Sequence, residues 1–189
     1  MGADNWLELN KELHRRAGDY GAGSVRYATP VIQYIEEFGC TTVLDYGCGK
    51  GGLVRSLKTK GIQAEGYDPA VPRFETMPSG SFDMITCTDV MEHVYEPCVP
   101  EVFATIASHN PNVIYFVIVY VNGPRMLEDG TPAHCNVHPP EWWEKKLEDF
   151  YGDDYDIRKP IIRMHTPYPQ REKPKIWSGQ HVLVKKLSC

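Results

Sequence analysis

Asp45, Gly47, Gly49, Gly51 and Gly52 fall within one short stretch, T-T-V-L-D-Y-G-C-G-K-G-G-L. Glycine at this density permits tight turning and lets main chain come close to a ligand. A β-branched and apolar run enters the stretch (Thr41, Thr42, Val43, Leu44) and a helical apolar pattern leaves it (Leu53, Val54, Leu57). Strand, glycine loop and helix in that order make a nucleotide cradle, because the first N–H groups of the helix have no partners within it. Gly47, Gly49 and Gly52 also satisfy G-x-G-x-x-G, a pattern that many nucleotide sites share. Asp45 narrows the choice. A carboxylate two residues before Gly47 repels a pyrophosphate, which disfavours NAD and FAD, and it suits a ligand that presents an ammonium group at the loop.

Further candidates lie downstream. Asp68, before Pro69, ends the next strand-like run, where a parallel α/β fold puts an acid for ribose hydroxyls. The segment C-T-D-V-M-E-H-V brings Asp89, Glu92 and His93 to the end of a third run. His93 is suited to proton transfer by its type, since an unperturbed imidazole titrates near neutrality. His134 and His138 follow on a proline-flanked loop, with Cys135 between them. That H-C-x-x-H set lacks an evident fourth ligand, so no metal is expected on it. His93 and His138 are the candidate catalytic residues.

An adenosine joined through a cationic sulfur to an amino acid, S-adenosylmethionine, meets the requirement that Asp45 sets. Here the sequence resembles the class I methyltransferases, whose first motif is an acidic residue followed by G-x-G-x-G; Asp45, Gly47, Gly49 and Gly51 match it. The run F-D-M-I followed by E-H resembles the fourth-strand motif of the same family. The resemblance implies a Rossmann-like α/β fold, with a mostly parallel sheet, an antiparallel C-terminal edge strand and helices on both faces. It also implies cofactor contacts from Asp45, Gly47, Gly49, Gly51, Asp68, Pro69 and Asp89, joined by Tyr20 from the segment before the core. In that family Glu-His at this place is often structural, so both readings of His93 stand. Between Asp68 and Asp83 the family fits a helix, a strand and another helix; this chain has only A-V-P-R-F-E-T-M-P-S-G-S there, with room for a strand stub at residues 74–76.

The elements that must position these residues follow from periodicity and punctuation. Asn5 and Glu8 suggest a capping pair for an amphipathic first helix that stops near Gly18. Residues 19–27 read as a flexible segment, and Thr29-Pro30 as the start of a helix that Gly39 ends. Strands are expected over 41–45, 63–67, 82–86 and 113–121, the last apolar throughout, as in a strand covered on both faces. Helices are expected over 52–59, from Pro100, and from Pro140, with Trp143, Leu147 and Phe150 on the buried side of the last. One helical face leaves core space for only one of Trp142 and Trp143. Two final strands, 155–164 and 177–187, flank a proline-rich excursion over 166–175.

At 189 residues the chain suits one domain, over 1–189, with a helical cap at 1–39 and a substrate-side loop at 122–140. A net charge of -5 argues against a dominant nucleic-acid or anionic-membrane surface, and no N-P-P-Y or D-P-P-Y motif for base methylation is present. The longest apolar run is too short to span a bilayer, and no secretory leader opens the chain. Six cysteines without a C-x-x-C pair read as free thiols of a cytoplasmic protein. The expected function is methyl transfer from S-adenosylmethionine to a small-molecule acceptor. The alternatives are a non-catalytic S-adenosylmethionine-binding partner subunit and an enzyme that cleaves the cofactor. The sequence names neither the acceptor nor an oligomeric state. It does suggest that residues 19–27 and 122–140, more than the first helix, close over the ligands.

Overall fold

The computed structural model describes residues 3–165 and 175–187. Seven strands form one sheet: β1 (Thr42–Tyr46), β2 (Gln63–Tyr67), β3 (Met84–Thr88), β4 (Val113–Val119), β5 (Tyr155–Ile157), β6 (Ile161–His165) and β7 (Lys175–Lys185). Their order is β2-β1-β3-β4-β7-β5, with β6 also paired to β7. The first four are parallel, and β7 runs antiparallel to β4, β5 and β6. The antiparallel part of the sheet is therefore its C-terminal margin, as expected.

Both faces are covered because successive side chains of a strand point to opposite sides. Leu44, Ile85, Ile114 and Phe116 face helices α4 (Val99–Ser108) and α5 (Pro140–Tyr151), through Phe103, Ile106, Trp143 and Leu147. Val43, Met84, Val113 and Tyr115 face α2 (Ala28–Phe38) and α3 (Gly52–Thr59), through Val31, Ile35, Leu53 and Leu57. All seven residues of β4 are buried, which is what the uninterrupted apolar run required. Helix α1 (Ala3–Arg16) joins neither layer. Its Leu13 packs on Leu127 and Ala133 of the loop after β4.

Several boundaries differ from the sequence reading. Asn5 lies inside α1, which already runs from Ala3, so it is no cap. Thr29 lies in the first turn of α2, because a 3-10 helix over Gly23–Tyr27 feeds straight into it and no side chain caps the junction. β3 starts at Met84 because the Asp83 amide donates to the Thr42 hydroxyl at 2.9 Å instead of to a strand carbonyl; Asp83 Oδ2 accepts in turn from the Thr41 amide and hydroxyl at 2.7 Å each and from the Thr42 amide at 3.0 Å. The strand stub at 74–76 is absent; the Phe74 carbonyl instead accepts from the Asp68 amide at 2.9 Å in a tight turn. The expected strand over 155–164 splits into β5 and β6, and Pro160, without an N–H, sits in the break. Trp143 takes the core position of the tryptophan pair, whereas Phe150 is 39% exposed. Tyr151 fills the space expected for Phe150, and its hydroxyl donates to the Phe103 carbonyl at 3.0 Å. Most of the 166–175 excursion lies outside the described residues.

Candidate active site

In an open parallel sheet, ligands bind outside the strand C-termini where successive connections diverge to opposite sides. Here that point lies between β1, which connects outward to β2, and its other neighbour β3. A cleft of about 450 Å³ opens there. Its floor is the glycine loop after β1, the turn after β2 and the segment after β3. Its roof is α1, the residues around Tyr20, and the loop after β4.

The glycine loop is shaped by contacts that exclude side chains. Gly47, Gly49 and Gly51 all have positive φ, at 72°, 53° and 69°. A Cβ at Gly49 would run into the Gly21 carbonyl, and one at Gly47 into Val90. The covering segment is thus seated directly on the loop. The Lys50 amide donates to the Gly21 carbonyl at 2.8 Å, and the Lys50 ammonium donates to the carbonyls of Ala17 and Gly18.

Asp68 holds the next turn against the loop. One carboxylate oxygen accepts from the Gly49 amide at 2.8 Å and the other from the Ala70 amide at 2.9 Å. Pro69 and Ala70 line the cleft beside it. Asp45 lies elsewhere. It is fully buried beneath the loop, with Oδ1 accepting from the Thr86 hydroxyl at 2.8 Å and Oδ2 without a partner. Burial pushes its carboxyl up to about 7, and it does not line the cleft.

After β3 the main chain turns sharply, with Asp89 at φ 54°. Asp89 faces the cleft and is held by Tyr27, whose hydroxyl donates to it at 2.7 Å, and by an ion pair with Arg26. One short helical turn later comes Met91–His93. Glu92 is fully buried, and neither of its carboxyl oxygens meets good hydrogen-bond geometry with a described residue. Burial, reinforced by the Asp89 charge, pushes its carboxyl well above the usual range. His93 Nδ1 lies 2.9 Å from the Ala133 carbonyl, which can only accept, so this nitrogen carries the ring proton. The Tyr20 hydroxyl oxygen is 3.1 Å from the same nitrogen. Burial, with His134 beside it, lowers His93 to about 3, so its ring is a neutral imidazole and a weak proton acceptor near neutral pH.

The roof adds residues that the sequence gave no reason to choose. His14 of α1 meets Tyr20 edge to face with ring centres 4.6 Å apart, and Trp6, Leu7 and Asn10 complete that wall. The first helix therefore shares in the cover with residues from 19–27 and 122–140, the two segments expected to contribute more of it. Its contribution was hidden because it depends on α1 docking upon a loop far away in sequence. Asp19 and Arg125 join the two irregular segments across the mouth through an ion pair of 2.6 Å.

Of the sequence candidates, the cleft brings together Gly47, Gly49, Asp68, Pro69, Asp89, Tyr20 and His93. Asp45, Gly51 and His138 are not among them. His138 stacks on Trp142 at 3.9 Å between ring centres and faces Glu96 at 3.1 Å. The H-C-x-x-H set is likewise dispersed: His134 Nδ1 donates to the Val121 carbonyl at 2.7 Å, and the Cys135 thiol donates to the His93 carbonyl at 3.4 Å.

A family described as "Methyltransferase domain" matches residues 7–165. The chain belongs to that family. This methyltransferase is 26% identical to a ubiquinone biosynthesis O-methyltransferase of Psychrobacter cryohalolentis, across 94% of this chain and 78% of that protein. Solved structures share its fold. One is the 1,6-didemethyltoxoflavin-N1-methyltransferase of Burkholderia thailandensis, bound to 1,6-didemethyltoxoflavin and S-adenosylhomocysteine. It has a TM-score of 0.66 at 13% identity, over 98% of this chain and 91% of that one. Another is the magnesium protoporphyrin IX methyltransferase of Synechocystis with bound S-adenosylhomocysteine. Its TM-score is 0.62 at 16% identity, over 87% and 84% of the two chains. Among the described residues, no helix of the methyltransferase is long and apolar enough to cross a membrane.

Proposed function

We propose that this methyltransferase moves the methyl group of S-adenosylmethionine to an oxygen of a small-molecule acceptor. The observation that carries the reading is the division of one cleft into two unlike walls. On one side are the glycine main chain, the Asp68 carboxylate and the Pro69–Ala70 turn; on the other are Glu92, His93, His134 and Arg125. The names of the curated relatives support an oxygen acceptor.

The residues fit the proposed donor. The main chain of Gly47 and Gly49 borders the cleft, and neither residue carries a side chain that could stand between peptide and ligand. Asp68 keeps accepting capacity on each carboxylate oxygen after its main-chain bonds, enough for two ribose hydroxyls. Asp89, near the end of β3, offers negative charge to an ammonium group, and Tyr20 closes that end from above. Asp45 shapes the loop from beneath. When bound, S-adenosylmethionine supplies an electrophilic methyl group on a cationic sulfur. The chain's own contribution is alignment: two held reactants gain several kcal/mol relative to free collision, on the order of 7–11 kcal/mol at best. The roof of α1 and the two irregular segments excludes water from that alignment. Free thiols at Cys40, Cys48, Cys87, Cys98 and Cys135 support a reducing compartment, the cytoplasm. We read residues 1–189 as one domain.

Calorimetric titration with S-adenosylhomocysteine tests the donor half, with micromolar binding to the wild type expected. No binding by the folded wild-type chain would overturn it. Transfer of labelled methyl from S-adenosylmethionine to a panel of hydroxylated aromatic acceptors tests the acceptor half; products methylated only at nitrogen or carbon would contradict an oxygen acceptor.

A further inference from the structure

We propose that Glu92, His93 and His134 hold a divalent cation on the acceptor side of the cleft. One carboxyl oxygen of Glu92 and one ring nitrogen from each histidine lie within 4.8 Å of one another. Neighbouring ligands of a shared cation, with bonds of about 2.0–2.2 Å, stand roughly 3–3.5 Å apart, so side-chain rotations that draw the three groups together by about 1 Å complete the site.

Three independent features point to a cation instead of a chance cluster. Glu92 is completely buried; neither carboxyl oxygen meets good hydrogen-bond geometry with a described residue, and the nearby main-chain amides of Glu92 and Val119 favour the charged form that a cation needs. A buried carboxylate without a well-formed hydrogen bond is unfavourable, and a cation relieves that directly. Next, each imidazole is oriented from behind. His93 and His134 give their Nδ1 protons to the carbonyls of Ala133 and Val121, at 2.9 and 2.7 Å. Main-chain carbonyls fixing the far nitrogen are the usual support of a metal-binding histidine, and they leave Nε2 with a lone pair to donate. The third feature is placement. All three residues line the same cleft as the glycine loop and Asp68, so the cation would keep open positions toward it.

Two imidazoles and a carboxylate suit Zn²⁺, Mn²⁺, Fe²⁺ or Co²⁺ better than Mg²⁺ or Ca²⁺. The acceptor class follows from the open positions: a molecule whose hydroxyl, with or without a neighbouring oxygen, can bind the cation. This extends the proposed methyl transfer and rests on it. The acceptor hydroxyl, acidified on the cation, releases its proton to solvent. Its oxygen then forms a bond to the methyl carbon while the carbon–sulfur bond breaks and its electron pair returns to sulfur. The products are a methyl ether, neutral S-adenosylhomocysteine and one proton. The weak basicity of His93 poses no obstacle, because the imidazole serves as a ligand.

The test uses the full chain, stripped with a chelator and titrated with Co²⁺, Mn²⁺ and Zn²⁺ in the absence of any nucleoside. One equivalent of Co²⁺ should bind with visible absorption bands of nitrogen and oxygen coordination. Glu92→Gln and His134→Ala should each weaken binding by about tenfold or more, with far-ultraviolet circular dichroism confirming the fold. No metal binding by the wild type, or equal binding by wild type and both folded variants, would overturn the cation site. S-adenosylhomocysteine is titrated separately. Metal binding without nucleoside binding upholds the cation site and overturns the donor reading; nucleoside binding without metal does the reverse.

Discussion

The two walls of the cleft are built on opposite principles. The wall after β1 and β2 is made of main chain, and its polar groups are engaged: Gly49 and Ala70 donate to Asp68, and Lys50 donates to Gly21. The wall after β3 and β4 is made of side chains, and it leaves Glu92 and the free edges of two histidines unspent. A finished surface binds one ligand in one pose, whereas groups left unsatisfied await whatever completes them. The first wall suits a constant donor and the second a particular acceptor.

Perturbing the first wall should give the largest effects. Gly49→Val places a branched side chain at positive φ against the Gly21 carbonyl, a strain of about 1–3 kcal/mol before any ligand contact is lost. S-adenosylhomocysteine affinity should fall by roughly a hundredfold or more, measured calorimetrically. Retained affinity would show that the loop does not approach the ligand. Asp68→Ala comes next. It removes two ribose acceptors, each worth about 1.5–3 kcal/mol at the upper end, together with the clasp on Gly49. At least a tenfold loss of affinity is expected, roughly 1.4 kcal/mol.

Asp45 separates loop support from ligand contact through pH. Its folded carboxyl, at about 7, is raised above its ordinary value by burial. A carboxyl raised in this way binds more protons in the folded than in the unfolded state. Its contribution is therefore fully present below the unfolded value near 4 and is lost as pH rises through about 7. Asp45→Asn should thus flatten the fall in melting temperature between pH 5 and pH 8 and leave the variant more stable than the wild type at the alkaline end. A parallel fall in both proteins would show that Asp45 is charged and paired when folded.

Beyond Asp89, the histidine end of the second wall sharpens the comparison by its indifference to the donor. His134→Ala should change S-adenosylhomocysteine affinity by no more than about twofold, a few tenths of a kcal/mol, and a large loss would merge the two walls into one site. The smallest effect belongs to Arg125→Ala at the mouth. An exposed ion pair contributes about 0–1 kcal/mol, so the melting temperature should hardly move. Hydrogen exchange should nevertheless quicken in residues 19–27 if the Asp19–Arg125 bridge tethers the cover.

The same contrast explains what could be read from the sequence. The glycine loop is a local device: Gly47, Gly49 and Gly51 announce positive φ within a few residues of one another, and the β-branched run before them announces the strand. Asp68 follows by its place at a strand end. Nothing local announces Glu92 as a buried acid without a well-formed hydrogen bond, because its surroundings are assembled from β3, the Ala133 segment and the end of β4. His14 entered the site for a similar reason, through a docking of α1 that its own amphipathic pattern could not direct. His138 shows the converse. Its type and loop suggested chemistry, but Trp142, four residues later on the following helix, captures its ring. Helix starts were misplaced where a 3-10 turn ran into a helix, since no capping side chain marks such a junction.

The position of β7 bears on how the protein is made. It is the last of the described strands in chain order, yet it sits inside the sheet, and β5 and β6 pair with it alone among the described strands. While a ribosome is still producing residues before 175, β4 presents an open edge of unpaired main-chain N–H and C=O groups between largely apolar side chains, and two later segments have nothing to join. The nascent chain must hold that edge in waiting until β7 arrives, a period in which strand-to-strand association between copies competes with folding. Slower passage anywhere between residues 120 and 174 would lengthen that exposure, so the yield of soluble protein should depend on translation speed over that stretch more than before it.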